Sequence, residues 1–217
     1  MRKSSKHRAI GLVEGTAGIG KTTLVDGLLQ HHQKLNQRFN TFLRLGQGHT
    51  YSPLNPDSVE PQHTAAEQLD YLNHVVDVLS FFSHPLGAGS NPPISCIIET
   101  LHLTLANKPN VLSEEQIARY DQKLADIDCK LIFIRVESDL LWERCIWERR
   151  HNGFITIYSQ KYGDSLEQIH AHYLQEQERM LAHFYQSKME KILVDGREPI
   201  DSLVNKAYDF WIDSAVS

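Results

Sequence analysis

Gly15-Thr16-Ala17-Gly18-Ile19-Gly20-Lys21-Thr22 spells G-x-x-x-x-G-K-[ST], and the residues on either side supply the context that this motif needs. The stretch before it, 9–13, is short and apolar and reads as a strand, and 23–29 reads as a helix. Glycines let the backbone fold back and aim successive N–H groups inward. The helix behind them adds the positive end of its dipole, so that a polyphosphate can be cradled. Gly15, Thr16, Ala17, Gly18, Ile19, Gly20, Lys21, Thr22 and Thr23 are the expected binding stretch. In it Lys21 serves as a point charge on the β and γ phosphates, and the Thr22 hydroxyl as a ligand for Mg2+.

On either side of this motif, short β-rich runs alternate with longer helical patterns, which predicts an α/β fold with helices on both faces of a parallel sheet. Five strands are expected, at 9–13, 41–45, 94–98, 130–136 and 191–194. Three capping boxes, Thr64/Glu67, Ser113/Gln116 and Ser165/Gln168, mark helix starts. The clearest helix is expected from 165 to about 188, where Leu166, Ile169, Tyr173, Met180, Leu181 and Phe184 recur at three- and four-residue steps. Proline-bearing stretches at 51–62 and 86–93 read as loops, the first long enough to be functional. No repeat or composition break separates a second domain, so 1–217 is expected to be a single domain with a short basic tail, 1–8.

Composition narrows the function. With 22 Lys and Arg against 27 Asp and Glu, net charge −5, the chain lacks the basic excess of a dedicated binder of nucleic acid polymers, and a small-molecule partner is expected instead. Cys96, Cys129 and Cys145 form no CxxC pair and read as reduced thiols of a cytoplasmic protein. The apolar stretch after the basic start is too short for an export signal, and no run is long enough to span a membrane. Twelve histidines raise the question of a metal site, but His31/His32 and His170/His172 are spaced so that neither pair faces one ligand on a helix.

A GTPase would need Asn-Lys-x-Asp and Asp-x-x-Gly. Neither occurs, and Asn107-Lys108-Pro109-Asn110 ends in an amide. Large motor ATPases normally need more chain, which leaves small kinases. The chain resembles the thymidylate kinase and deoxynucleoside kinase group of P-loop kinases in four features: Val13-Glu14-Gly15 leading into the phosphate loop, an acid closing the third strand at Glu99, an arginine-bearing helix after the fourth strand, and Leu193-Val194-Asp195 before a last helix. The resemblance implies a P-loop NTPase fold with sheet order 2-3-1-4-5 and a site at the carboxyl ends of the strands. It also implies ATP and Mg2+ as donor and cofactor, a nucleoside or nucleoside monophosphate as acceptor, and a possible homodimer.

By the same resemblance Arg144, Arg149 and Arg150 fall in a lid segment at about 144–163, although 144 and 149 are five apart where the group commonly spaces lid arginines by four. A solvated helix face, with Glu143 and Glu148 among the arginines, is the competing reading. Glu99 suits a carboxylate that orients magnesium or takes the acceptor proton, or it is an ordinary strand-end acid. The group usually has an arginine after this acid; here Thr100 stands there.

Arg44, with Gly46, Gly48 and Thr50 partly echoing the group's glycine turn but without its Glu-Pro, is a candidate to grip an acceptor phosphate or else a packing residue. His102 is a further acceptor-site candidate. Trp142 and Trp147 stack a base or pack, and Asp195 lies near the adenine side or is a plain turn residue. The sequence thus supports an ATP-dependent kinase first. The alternatives are a nucleotide-binding regulator that has lost productive acceptor binding, and a kinase for a non-nucleotide metabolite.

Overall fold

The computed structural model describes residues 9–35, 42–46, 50, 65–83, 95–107, 112–150, 158–159 and 162–213. The expected tail 1–8, both proline-bearing loops, Gly48, the Thr64 cap, and residues 151–157 and 160–161 of the lid segment lie outside them. Five strands, β1 (Ile10–Glu14), β2 (Phe42–Leu45), β3 (Ser95–Glu99), β4 (Cys129–Arg135) and β5 (Lys191–Asp195), form one sheet in the order β2-β3-β1-β4-β5. Every pairing is parallel, with Ile10 opposite both Cys96 and Cys129. Fold class and strand order match the expectation. The observed strand limits are shifted from those expected by a residue or so, as with β1, which begins at Ile10 rather than residue 9 and takes in Glu14.

Parallel strands covered on both faces read as continuous apolar runs, and their side chains alternate between two cores. Leu131 and Phe133 of β4 join the first core, while Ile132 and Ile134 join the second. The first lies under α2 (Ala65–Ser83), α3 (His102–Ala106) and α4 (Glu114–Ala125). The second lies under α1 (Lys21–Leu35), α5 (Ser138–Leu141) with the π-helical turn Trp142–Trp147 that continues it, and α7 (Ile200–Asp213). The long helix α6 (Leu166–Gln186) reaches both, with Ile169 and Tyr173 in one core and Met180, Leu181 and Phe184 in the other. Ser113 and Ser165 each accept from the backbone N–H three residues on, and the Gln116 and Gln168 side chains return the bond, so both described capping boxes are formed.

The carboxyl ends of β1 and β3 carry the carboxylates that matter most. Glu14 is fully buried; its Oε1 accepts from the backbone N–H groups of Leu101 (2.8 Å) and Leu103 (3.1 Å), and its Oε2 from the Thr104 hydroxyl (2.7 Å). It therefore pins the segment after Glu99 to the head of the sheet, satisfying donors that the start of a short helix leaves open. Glu14→Ala strands two buried N–H donors and the half-buried Thr104 hydroxyl and is expected to destabilise the fold by about 2–4 kcal/mol in denaturant titration, and Glu14→Gln, which keeps one acceptor oxygen, by less. Among the described residues no helix is long and apolar enough to cross a membrane.

Candidate functional site

The turn between β1 and α1 has Gly15, Gly18 and Gly20 at φ of +143°, +87° and +100°, a region that residues with a Cβ rarely enter. These three positions wrap the backbone around the amino end of α1, leaving main-chain N–H groups and the helix dipole to attract an anion. Lys21, the first residue of α1, folds back over this turn, and its Nζ donates to the carbonyls of Gly15 and Thr16, both at 2.7 Å. Burial holds its ammonium below the ordinary lysine value, while the negative charges of Glu14, Glu99 and Glu176 pull the other way. The Thr16 hydroxyl is buried with no hydrogen-bond partner among the described residues. A polyphosphate fits this site, because it would offer Lys21 and Thr16 the acceptors that neutral carbonyls supply poorly.

One residue further along, the Thr22 hydroxyl donates to Glu99 Oε1 at 2.6 Å. The two oxygens come from elements 77 residues apart in sequence, and together they form a hard-oxygen pair of the kind Mg2+ takes. Glu99 is 3% exposed, and its other oxygen, Oε2, lies 3.6 Å from Arg44 Nη2. The Arg44 Nη1 donates to Asp26 Oδ1 on α1. Thr50, fully buried, donates through its hydroxyl to the Glu99 carbonyl at 2.9 Å and, more weakly, to that of Gly46 at 3.4 Å. Thr100, the residue after Glu99, adopts φ +69° and donates its N–H to Val13 O (3.0 Å), and its buried hydroxyl has no partner among the described residues.

The π-helical turn leans over the β1–α1 loop from the opposite side. Arg144 Nη1 is 3.4 Å from Ile19 O, Cys145 Sγ donates to Ala17 O at 3.0 Å, and Arg149 Nη1 stands 3.4 Å from the position a Cβ on Gly18 would take. Burial pushes the Cys145 thiol up to about 12, so it remains a protonated donor. Arg144 lies within this turn, which an i→i+5 bond closes from Glu148 N–H to Glu143 O at 2.9 Å, and Arg149 lies two residues past its end. Arg150 goes elsewhere: its guanidinium stacks 3.6 Å over the exposed Trp147 ring and it donates to the Trp147 carbonyl.

Between the loop and the β5–α7 connection lies a cavity of about 290 Å3, lined by residues that include Gly20, Thr23, Ile134, Arg144 and Gly196. Asp195 serves that connection as a turn residue, accepting from Arg197 N–H at 2.9 Å. His102 is fully buried and turned to Asp121 of α4, with 3.4 Å between Nε2 and Oδ1; Asp121 Oδ2 accepts from Lys188 N–H at 2.6 Å. Burial acts to raise the Asp121 carboxyl, but the bonds from His102, Lys188 and Ser187 outweigh it and hold the group below the ordinary carboxylate range. The structure therefore assembles Lys21, Thr22, Glu99 and Arg44 with Arg144 and Arg149 around one loop, and sets Arg150 and His102 against other partners. Asp26, Cys145 and Glu176 belong to the surroundings of this loop and carried no motif by which the sequence marked them.

No protein-family model matches the sequence, and no curated protein matches it. Solved structures do share the fold. The YorR protein from Bacillus subtilis, solved in complex with phosphorylated GDP, superposes with a TM-score of 0.54 at 13% identity, over 91% of this chain and 92% of that one. A sugar kinase from Janibacter sp. HTCC2649, solved unliganded, gives a TM-score of 0.51 at 16% identity, over 97% of this chain and 99% of that one.

Proposed function

We propose that this chain is an ATP-dependent phosphotransferase that moves the γ-phosphoryl group of Mg-ATP to a hydroxyl of a small acceptor of the nucleoside or nucleotide class, as its resemblance to the thymidylate kinase and deoxynucleoside kinase group implies. The observation that carries the reading is the Thr22–Glu99 bond at 2.6 Å, which sets a carboxylate from β3 beside the hydroxyl that follows the phosphate-loop lysine. A nucleotide-binding neighbour of similar fold is consistent with it.

In this reading the loop amides and Lys21 hold the donor phosphates, Arg144 and Arg149 cover them, and the cavity beside Thr23 and Gly196 takes the donor nucleoside. Mg2+, held by Thr22 and Glu99, would neutralise charge on the transferring group. Glu99 divides its work: Oε1 orients the Thr22 hydroxyl, and Oε2, on the Arg44 side, receives the acceptor proton. The acceptor oxygen forms its bond to the γ phosphorus as the bond from that phosphorus to the bridging oxygen breaks. ADP then leaves, and the proton passes from Glu99 to solvent. In solution the protein is proposed to be cytoplasmic, with a homodimer as its form.

Thr100 favours a second reading, a regulator that binds nucleotide without productive transfer, because a buried threonine hydroxyl cannot replace a guanidinium clamp. Calorimetric titration with Mg-ADP, followed by a coupled ADP-release assay over nucleosides and nucleotides, separates the two. Micromolar binding with multiple turnovers on any acceptor supports the kinase; binding with no turnover removes the nucleoside or nucleotide acceptor and leaves the regulator or a kinase for a non-nucleotide metabolite; no binding removes all of them.

A further inference from the structure

We infer that Tyr158 is a positioning residue for donor binding: the face of its ring holds the Arg149 guanidinium against the β1–α1 loop, where the donor phosphates would lie. The inference rests on the nucleotide-binding part of the reading above and needs no acceptor.

Arg149 touches groups that are far apart in sequence. Its Cζ lies 5.8 Å from the centroid of the Tyr158 ring, within the distance at which a guanidinium is drawn to the negative face of an aromatic system. Its Nη1 lies 3.4 Å from the position a Cβ on Gly18 would take, so the same guanidinium rests on the loop. Glycine permits this approach, since a Cβ at that position would also crowd Cys145 Sγ at 3.3 Å. Tyr158 is itself seated on α6. Its centroid is 6.3 Å from that of Tyr173, which is 2% exposed, and 5.4 Å from that of Tyr162, which stacks on His172 at 3.9 Å with 17° between the planes. Tyr173 belongs to the second core together with Ile19 of the loop and Cys145 of the π-helical turn, so that ring, guanidinium and loop stand on one packed base.

An arginine side chain has many rotamers, and ordering one when a phosphate binds lowers affinity. A partner within the protein that orders it removes part of that loss. A carboxylate would do so but would set a negative charge beside the phosphate, whereas a ring face attracts the cation without bringing an opposite full charge. Arg150 shows a similar pairing without this consequence: its guanidinium stacks on Trp147, whose ring is 49% exposed, and it donates to the Trp147 carbonyl. What distinguishes Arg149 is a ring seated on the core beside the loop.

The test titrates AMP-PNP with Mg2+ into the wild type, Tyr158→Phe, Tyr158→Leu and protein carrying pentafluorophenylalanine at position 158, whose ring keeps its shape but has the charge of its face reversed; the phenylalanine and leucine variants are repeated in Arg149→Met. The expected Kd is within about twofold of wild type for Tyr158→Phe and about tenfold weaker for Tyr158→Leu and for the fluorinated ring, while in Arg149→Met the phenylalanine and leucine variants agree within about twofold. Melting temperatures without nucleotide accompany the titrations, and should Tyr158→Leu fail to fold, the fluorinated ring, which fills the same space, carries the comparison. A fluorinated ring that binds as tightly as Tyr158→Phe, a leucine variant that loses nothing, or a difference between phenylalanine and leucine that persists in Arg149→Met shows that the ring only fills space, and overturns the inference while leaving nucleotide binding standing. No binding by the wild type overturns the proposed function, and this inference with it.

Discussion

Lys21→Met is expected to lower kcat/KM for phosphoryl transfer by about 10³-fold or more while leaving the protein folded, because in the proposed mechanism the lysine would contribute charge where charge develops, while it contributes little to the apo fold. Its Nζ is bonded only to two neutral carbonyls of its own loop, Gly15 and Thr16, and its burial disfavours the charged form. The sign for stability follows from linkage. The folded-state value of Lys21 lies below its ordinary 10.5, so the unfolded chain binds the proton more readily. The burial cost is therefore fully present at pH values below the folded pKa and is relieved as pH rises from there towards 10.5. Methionine keeps the stem and removes the charge, so apo Lys21→Met is expected to melt at or above the wild-type temperature at pH 7, with the gap closing in alkali. With Mg-ADP present the order reverses, since only the wild type gains the ammonium–phosphate interaction. Melting curves from pH 7 to about pH 10 with and without Mg-ADP, alongside initial rates, give all three comparisons. Transfer by Lys21→Met within about tenfold of wild type would remove the loop from the mechanism.

What the sequence disclosed about this site follows the range of the interactions that build it. The phosphate loop is local: glycines at fixed offsets and a lysine at a helix start are legible because strand, turn and helix are contiguous. The acid at Glu99 was legible as the last residue of an apolar run. Its tie to Thr22 and Arg44 was not, since it depends on β3 lying between β1 and β2 in the sheet. The engagement of Arg44 by Asp26 was hidden for the same reason, a contact between α1 and β2 with no motif on either side.

Arg144 and Arg149 show a different limit. Their five-residue spacing is a departure from the group's four, yet Arg144, in the π-helical turn, and Arg149, just past it, both approach the β1–α1 loop. Nothing in Trp142–Trp147 announces such a turn in advance. In the sequence Glu14 stands out only through the likeness of Val13-Glu14-Gly15 to the group's approach to its loop. The structure gives it a mechanical role, fixing the backbone after Glu99 through three hydrogen bonds.

Because Glu99 would join the donor and acceptor halves in the proposed mechanism, Glu99→Gln is the second substitution expected to have a large effect, about 10²–10⁴-fold in kcat. Glutamine has nearly the same shape, and its carbonyl oxygen can still accept from the Thr22 hydroxyl, so nucleotide binding without metal is expected to change by less than about threefold. Two things are lost. The amide nitrogen now faces Arg44 Nη2, donor against donor, where Oε2 stood at 3.6 Å, so Arg44 is left to Asp26 alone. The site also has no carboxylate for metal or proton. Titrating Mg2+ distinguishes these last two roles. If the carboxylate chiefly holds the ion, excess Mg2+ restores most of the rate, and Glu99→Asp, which keeps the charge on a shorter stem, shows the same partial recovery. If it chiefly takes the acceptor proton, kcat stays low at every Mg2+ concentration while KM for Mg-ATP is unchanged. A Glu99→Gln protein that turns over within about threefold of wild type would mean that neither role operates, and that the 2.6 Å bond to Thr22 only fastens β3 to the first turn of α1.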